Sequence, residues 1–449
     1  MKRWLLLLPV WVAPATAQEV GIPFTKHTLA NGLTVLVNED RSAPLVAVNV
    51  WYHVGSGYEE PGRTGFAHLF EHIMFEGSRN VPEGDFDNLL EAAGAVNNGS
   101  TNPDRTNYYE VVPSNALELA LWLEADRMGG LLATMDRKKL DIQRDVVKNE
   151  RRQSYENRPY GMFFETAVAA LYPAGHPYSW STIGSMADLS AASLEDVESF
   201  FRRYYAPNNA VLSISGDVET ERVVELAGRY FGWIPRGEPV RRPEIAIPSI
   251  PATRYITLED RVTLPQVNLM WRTTKAYAAD DAALNALGQL LSGGKNARLY
   301  KRMVYDEQTA QSVSAYHNSQ LQSGDFYVRV TGRADMDLGR LEQAVLEEIA
   351  KLAASPPAEA EMERVKNGLE MSFISSLETA LGKAEQMNRY YYYTGDADHI
   401  AEDLARYRAL TPADIQRVAR EYLEGKHRIV ISIVPQGRTE LAARPREVS

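Results

Sequence analysis

Residues 68–72 read His68-Leu69-Phe70-Glu71-His72. In a helix, residues four apart share a face, so both imidazoles project together, as one metal ion requires of two neighbouring nitrogen ligands. Glu71 falls at the edge of that face, where its carboxylate reaches a metal-bound water without binding the metal itself. The order H-x-x-E-H predicts a zinc peptidase centre. The competing reading is a helix with two surface His and one Glu. The flanks argue against it: Leu69, Phe70, Ile73, Met74 and Phe75 make the segment apolar on nearly every side. Burying two imidazoles and a carboxylate there is costly unless something binds them.

Catalytic zinc usually takes three protein ligands and a water, so another element must supply the third. A charged helix is predicted over about 138–156, in which Leu140, Gln143, Val147 and Glu150 recur at spacings of 3, 4 and 3. That stripe turns Gln143 and Glu150 inward. By this pattern alone, Glu150 is one of several candidate acids. The chain has no Cys, which leaves His and carboxylate as ligands.

Two longer stretches carry a resemblance. Gly65-Phe66-Ala67-His68-Leu69-Phe70-Glu71-His72-Ile73-Met74-Phe75-Glu76-Gly77-Ser78 resembles, almost position for position, the metal helix of the pitrilysin/insulinase family of metallopeptidases. Arg144-Asp145-Val146-Val147-Lys148-Asn149-Glu150 resembles that family's R-x-V-V-x-x-E, and the 77 residues between His72 and Glu150 agree with its usual gap. The likeness is to the short two-domain branch, which includes the mitochondrial processing peptidase beta subunit and bacterial periplasmic relatives. It implies an α+β fold of two homologous domains, each an antiparallel-rich sheet packed against helices, enclosing a peptide chamber on dimerisation. It also implies one Zn2+ per chain on His68, His72 and Glu150, with Glu71 as general base of a zinc-activated water. A third stretch, Asn98 to Tyr109, resembles the family's N-A-x-T segment followed by T-x-Y. Asn98, Gly99, Ser100 and Thr101 are thereby expected on a sheet edge that pairs with the substrate backbone, a recurrent use of an open edge. His176-Pro177-Tyr178 also matches a family segment and reads as structural, and His53 as a packed strand residue.

Three departures from the family stand out. Where active relatives carry Glu seven residues before the third ligand, this chain has Gln143, an amide that keeps a hydrogen bond but supplies no charge and takes no proton. Relatives that work alone or as homodimers grip the substrate carbonyl with an Arg and, seven residues on, a Tyr. Aligned on Gln308 to His317, those clamp positions hold Val304 and Gln311. Arg302 lies two residues before the Arg position and Tyr305 one after it, and the gapless match downstream argues against a slip that would bring either into place. The resemblance therefore implies a heterodimer with a homologous subunit that supplies the Arg/Tyr pair. The rival expectation is a non-catalytic, core-protein-like assembly or peptide-binding subunit.

Met1-Lys2-Arg3, an apolar run from Trp4 to Val12 and Ala15-Thr16-Ala17 form a signal-peptide pattern, residues 1–17, far too short to span a bilayer. The expected location is the periplasm, with no membrane span. The formal charge of −11 drops by two more once Lys2 and Arg3 leave. No basic patch is evident, which argues against nucleic acid, and an acidic chamber would favour basic peptides.

The chain also repeats itself. Asp196-Val197-Glu198-Ser199-Phe200 and Val211-Leu212-Ser213-Ile214-Ser215 recur 218 residues later at Asp414-Ile415-Gln416-Arg417-Val418 and Ile429-Val430-Ile431-Ser432-Ile433. Ser193 and Thr411 suit the N-cap of the two equivalent helices. The expected organisation is a zinc-bearing domain over 18–233, a Pro-rich linker over 234–253, a homologous scaffold and substrate wall over 254–435, and a polar, frayed tail over 436–449. Asn31-Gly32 signals a hairpin opening the first half.

Overall fold

Asn31-Gly32 makes the predicted turn: Gly32 takes φ +93°, a left-handed conformation that glycine adopts freely. It joins β1 (Thr25–Thr28) to β2 (Thr34–Glu39) as an antiparallel pair. The structure, a computed structural model, describes residues 20–241, 246 and 249–444. The expected signal peptide lies outside those residues, as do 242–245 and 247–248 of the expected linker and 445–449 of the expected tail.

The first sheet continues with β3 (Leu45–Tyr52), β4 (Val96–Thr101), β5 (Thr106–Pro113) and β6 (Ala210–Gly216), in the order β1-β2-β6-β3-β5-β4. The second holds β7 (Arg254–Asp260), β8 (Gln266–Thr273), β9 (Ala310–Ser319), β10 (Gly324–Gly332) and β11 (Ile429–Pro435), in the order β7-β11-β8-β10-β9. The repeat carries β2, β6, β3, β5 and β4 onto β7, β11, β8, β10 and β9, so the two orders coincide. In each sheet one pair is parallel, β2 with β6 and β7 with β11, and the rest are antiparallel. Ser193 and Thr411 both cap their helices, each closing a reciprocal capping box with the Asp three residues on.

The halves are interlocked by an exchange of helices. Helix Ala380–Thr394, from the second half, lies across β3 and β6 of the first sheet. Its Glu385 accepts hydrogen bonds from Asn49 Nδ2 (2.8 Å) and Trp51 Nε1 (3.1 Å), while the fully buried Asn388 accepts from Ser213 Oγ and donates to the Asn49 carbonyl. Helix Phe163–Leu171, from the first half, packs reciprocally on β8 and β11 of the second. Phe163, Ala167 and Leu171 there meet Met270, Ile429, Ile431 and Ile433. Since 163–171 shifted by 218 falls inside 380–394, the two exchanged helices are repeat counterparts.

Asp104, in the turn between β4 and β5, pins the junction. Its carboxylate accepts from the Tyr178 hydroxyl of the His176-Pro177-Tyr178 segment, from Tyr393 Oη (2.9 Å) and from the Leu321 amide (2.9 Å), and its carbonyl accepts from Tyr392 Oη (2.6 Å). His53 follows the end of β3, its ring 4.4 Å from that of Tyr392. The stretch after Pro435, expected to fray, does not do so throughout. Leu441, Ala442 and Ala443 are buried in the second core, and the Ala443 amide donates to Ser432 Oγ. Three small or aliphatic side chains in succession outweigh the polar residues around them.

Because each sheet is covered on one face by a helix from the other half, the halves are expected to unfold together. Calorimetry should give a single transition for the intact chain, and residues 18–233 expressed alone should show none and should bind an apolar dye. Two resolved transitions in the intact chain would mean that the halves are independent.

Candidate metal centre

Helix Phe66–Ile73 forms as the pentapeptide predicts, but its start is set from outside. Gly65, at φ +88°, packs so closely on Ile183 and Gly184 that a Cβ there would lie 2.7 Å from the Ile183 carbonyl oxygen. The orphan amides of the first turn are met by Glu59, whose carboxylate accepts from Gly65 N (3.0 Å) and Ala67 N (2.8 Å). Burial pushes the Glu59 carboxyl up to about 8, against the downward pull of those two amides. Phe66, Ala67, Leu69, Phe70 and Ile73 are buried. Phe70 stacks on Phe200, Phe201 and Tyr205, which fixes the helix rotation. His68 and His72 are left on the remaining face.

Helix Arg137–Arg151 runs against it. Asp136 caps it by accepting from the Lys139 amide. The predicted stripe holds: Leu140, Gln143 and Val147 are buried, and Glu150 points at the imidazoles. The α-helix ends sooner than expected, at Arg151, and passes into one π-helical turn over Arg152–Glu156, a distortion common at functional sites.

Glu150 Oε2 lies 3.5 Å from His68 Nε2 and 3.3 Å from His72 Nε2. One ligand atom from each of the three residues falls within 4.8 Å of the others. A tetrahedral ion with bonds of about 2.0–2.1 Å places its ligands roughly 3.3–3.4 Å apart, so the three donors suit zinc in kind and the two imidazole–carboxylate separations match it in spacing. Burial, despite the nearby Glu150, holds the His68 imidazole down at about 4, which keeps it in the neutral form that binds metal. Glu150 is held below the usual carboxylate range by its hydrogen bond with His72. The side chains of His68, His72 and Glu150 are 13%, 27% and 38% exposed, so the cluster opens to solvent on the Glu150 side. Gln143 is buried on the ligand helix, seven residues before Glu150.

Glu71 is raised above its ordinary pKa by burial, opposed by a hydrogen bond that Thr101 Oγ1 donates to its Oε2 (2.5 Å). Thr101 belongs to β4, the outermost strand of the first sheet, which among the described residues pairs only with β5. The expected substrate edge therefore also touches the expected base. Gly99 lies as near: a Cβ there would come within 3.1 Å of Glu71 Cγ. Ser100 Oγ donates to Asn107 Oδ1 (2.6 Å), and the Ser100 carbonyl accepts from Arg105 Nη1 (2.9 Å). Asn98 is exposed, its side-chain oxygen taken by the Gly99 amide.

In the second half, Val304 sits in the π-helical turn Tyr300–Asp306, packed against the second core, and Gln311 is exposed on β9. Arg302 is committed to Glu307, Glu347 and Glu348, so a slip of register does not free it as a clamp. The repeat places Ala286, Leu290 and Gly368 opposite His68, His72 and Glu150 and Gln289 opposite Glu71, a set that binds no metal. Sequence reasoning missed Glu59 and the Thr101–Glu71 contact. No local spacing announces either.

Comparison with known proteins identifies the sequences and folds this chain is similar to. The model of the insulinase family (peptidase family M16) matches residues 34–177, and that of the peptidase M16 inactive domain matches residues 191–369. The zinc protease PqqE of Helicobacter pylori is 30% identical over 417 residues, covering 91% of this chain and 92% of that protein. A probable mitochondrial-processing peptidase subunit beta of Arabidopsis thaliana is 25% identical over 420 residues, covering 91% of this chain and 78% of that one. The crystal structure of a protease from Helicobacter pylori superposes with a TM-score of 0.88 at 28% identity, over 93% of this chain and 100% of that one. A peptidase M16 inactive domain from Pseudomonas fluorescens shares the fold, with a TM-score of 0.83 at 19% identity, over 95% of this chain and 100% of that one.

The Thr101 contact has a measurable consequence. Thr101→Val keeps the shape and removes the donor, and should lower turnover on a peptide substrate by about tenfold, the scale of one hydrogen bond to a charged group. Thr101→Ser should restore most of it, and metal content should stay unchanged in both. Equal rates for Val and wild type would separate Thr101 from the base.

Proposed function

The chain belongs to the insulinase family, peptidase family M16, and on that premise we propose that it is a zinc-dependent endopeptidase acting on peptides or unfolded polypeptides. The observation that carries this reading is the meeting of His68, His72 and Glu150 at ligand spacing with Glu71 beside them. Zinc held by those three residues would supply a Lewis acid and lower the pKa of a water to about 7.

The chain's own groups do the rest. The open side of β4 offers backbone amides and carbonyls to a substrate lying antiparallel or parallel to it, which brings an extended peptide across the mouth of the site. Glu71, on the neighbouring helix and hydrogen-bonded to Thr101, accepts a proton from the attacking water. It then returns that proton to the amine as the peptide C–N bond breaks. Burial raises its proton affinity toward the range such a two-way transfer needs.

Val304 and Gln311 leave the second half without an Arg/Tyr pair. The reading therefore includes a homologous partner subunit that supplies one, the two chains closing a peptide chamber. Delivery to the periplasm by the signal-peptide pattern of residues 1–17 belongs to the same proposal; among the described residues no helix is long and apolar enough to cross a membrane. The same two positions, with Gln143, favour the second reading, a peptide-binding or assembly subunit without turnover.

Two measurements decide between them. Zinc analysis should find one ion per chain in wild type and in Glu71→Gln, and much less in Glu150→Gln. Glu71→Gln should lose about 10²–10⁴-fold of the hydrolysis of a quenched peptide. Retained turnover in Glu71→Gln would remove it as the base, and a metal-bound wild type without turnover under any condition would favour the assembly reading. The partner is tested separately: adding a homologous chain that lacks H-x-x-E-H should raise activity severalfold, whereas full activity of the purified chain alone would reject the heterodimer.

A further inference from the structure

Beside Glu150 lies a cavity of about 490 Å3, shared between the two halves. The first half contributes Glu150 itself, Arg158 and Phe163, and the second contributes Gln266 and Arg329. Arg329, on β10, is held in one orientation. Its Nε donates to Asn268 Oδ1 (2.9 Å), and its guanidinium carbon lies 4.7 Å from the centre of the Phe163 ring. Asn268 is only 1% exposed and is fixed in turn by Gln266, whose own amide is bound to Thr331 Oγ1. Among the described residues neither Arg329 nor Arg158 has a carboxylate within ion-pair distance, whereas Arg127, Arg302, Arg406 and Arg428 each do.

Glu150 is the one acidic residue of the cavity wall, and as a metal ligand its charge is already matched by the ion. Two guanidinium groups then face a semi-enclosed space with nothing of opposite sign left to pair with them. A pre-oriented guanidinium is the usual recognition element for a carboxylate.

We propose that this cavity, beside the metal site and at the junction of the halves, is a subsite that selects a carboxylate of the bound peptide. Arg329 holds that group and Arg158 stands at the exposed mouth. The inference rests on the peptidase reading and gives it a local preference opposite to the one expected from the overall negative charge. Net charge acts on a peptide's approach; Arg329 acts on the one residue that enters the cavity. The carboxylate is that of an Asp or Glu side chain or of a free C-terminus, and the test separates the two.

Binding is read without turnover, by fluorescence anisotropy at low ionic strength on full-length Glu71→Gln, with and without added zinc. The probes are labelled ten-residue peptides. In one set a single Glu is walked along a neutral, C-terminally amidated sequence; a second set has Gln in its place; a third peptide is neutral with a free C-terminus. At one Glu position, or with the free C-terminus, binding should be about tenfold tighter than for the Gln or amidated control. The first outcome identifies a side-chain site and the second a terminal one. Arg329→Gln should abolish the preference, and Arg158→Gln, at an exposed position that disturbs no packing, should reduce it, as should raised salt. If Arg329→Gln does not fold, Arg158→Gln and the salt dependence of the parent decide. Equal affinity for all three probe types, or a preference untouched by these changes, overturns the proposal. A chain that prefers carboxylate peptides but never cleaves one would sink the peptidase reading and leave the cavity standing; a chain that cleaves without preference would do the reverse.

Discussion

One carboxylate oxygen of Glu150 lies 3.5 Å and 3.3 Å from two imidazole nitrogens, on a helix whose other face is buried and apolar. A hydrogen bond with His72 holds Glu150 there, and burial keeps His68 in its neutral form. A divalent cation would draw on all three donors at once, and the surrounding fold holds them in place for it. Phe70 is clamped by a stack of aromatic rings, Gly65 is wedged against Ile183 and Gly184, and Glu59 satisfies the first amides of the helix. Each removes one way for the helix to turn its imidazoles away. Rigid support of this kind separates a metal site from a mere cluster of ligand types.

The support extends to the second half. The turn after β4 is pinned through Asp104 to Tyr393 and Leu321, and β3 and β5 are tied through Asn49 and Asn107 to Glu385. The strand that carries Thr101 to Glu71 is therefore positioned by side chains more than 200 residues away in sequence. A half in which, among the described residues, no metal-ligand cluster forms is thus part of the candidate site's geometry. This gives the exchanged helices a role beyond stability, since moving Ala380–Thr394 would move the edge that carries Thr101 to Glu71.

What could be read from the chain follows the range of the interactions involved. The i, i+4 imidazoles, the inward stripe through Gln143 and Glu150, the Asn31-Gly32 turn and the two capped helices are local patterns, and all of them are present in the fold. The 218-residue repeat was legible because both copies kept their capping residues and β-branched strands. The pairing of Glu150 with the imidazoles needed the resemblance, since the stripe left several acids open. The helix exchange, the Glu59 cap, the hydroxyl of Thr101 on the base and the burial of Leu441 to Ala443 depend on which surfaces meet after folding. No periodicity encodes that. The π-helical turn at Arg152 is of the same kind: the residues there read as a continuing helix, and helix Phe163–Leu171 must leave that axis to reach the second sheet.

The two copies of the repeat have diverged along a line that physical chemistry makes intelligible. With Ala286, Leu290 and Gly368 in place of the ligands, helix Asp281–Ser292 can bury nearly all of its length, and the second core needs no cation to be stable. Freed from coordination, the second half can carry charge elsewhere. Arg329 stands on β10 where the repeat has Val111 on β5. On the first sheet helix Ala380–Thr394 packs on β3 and β6, with Glu385 and Asn388 on Asn49. On the second, the shorter helix Phe163–Leu171 begins at Phe163 and leaves the end of the strand open beside Glu150. The difference in length between two equivalent helices, 9 residues against 15, thus leaves room for a pocket where chemistry from one half meets selectivity from the other.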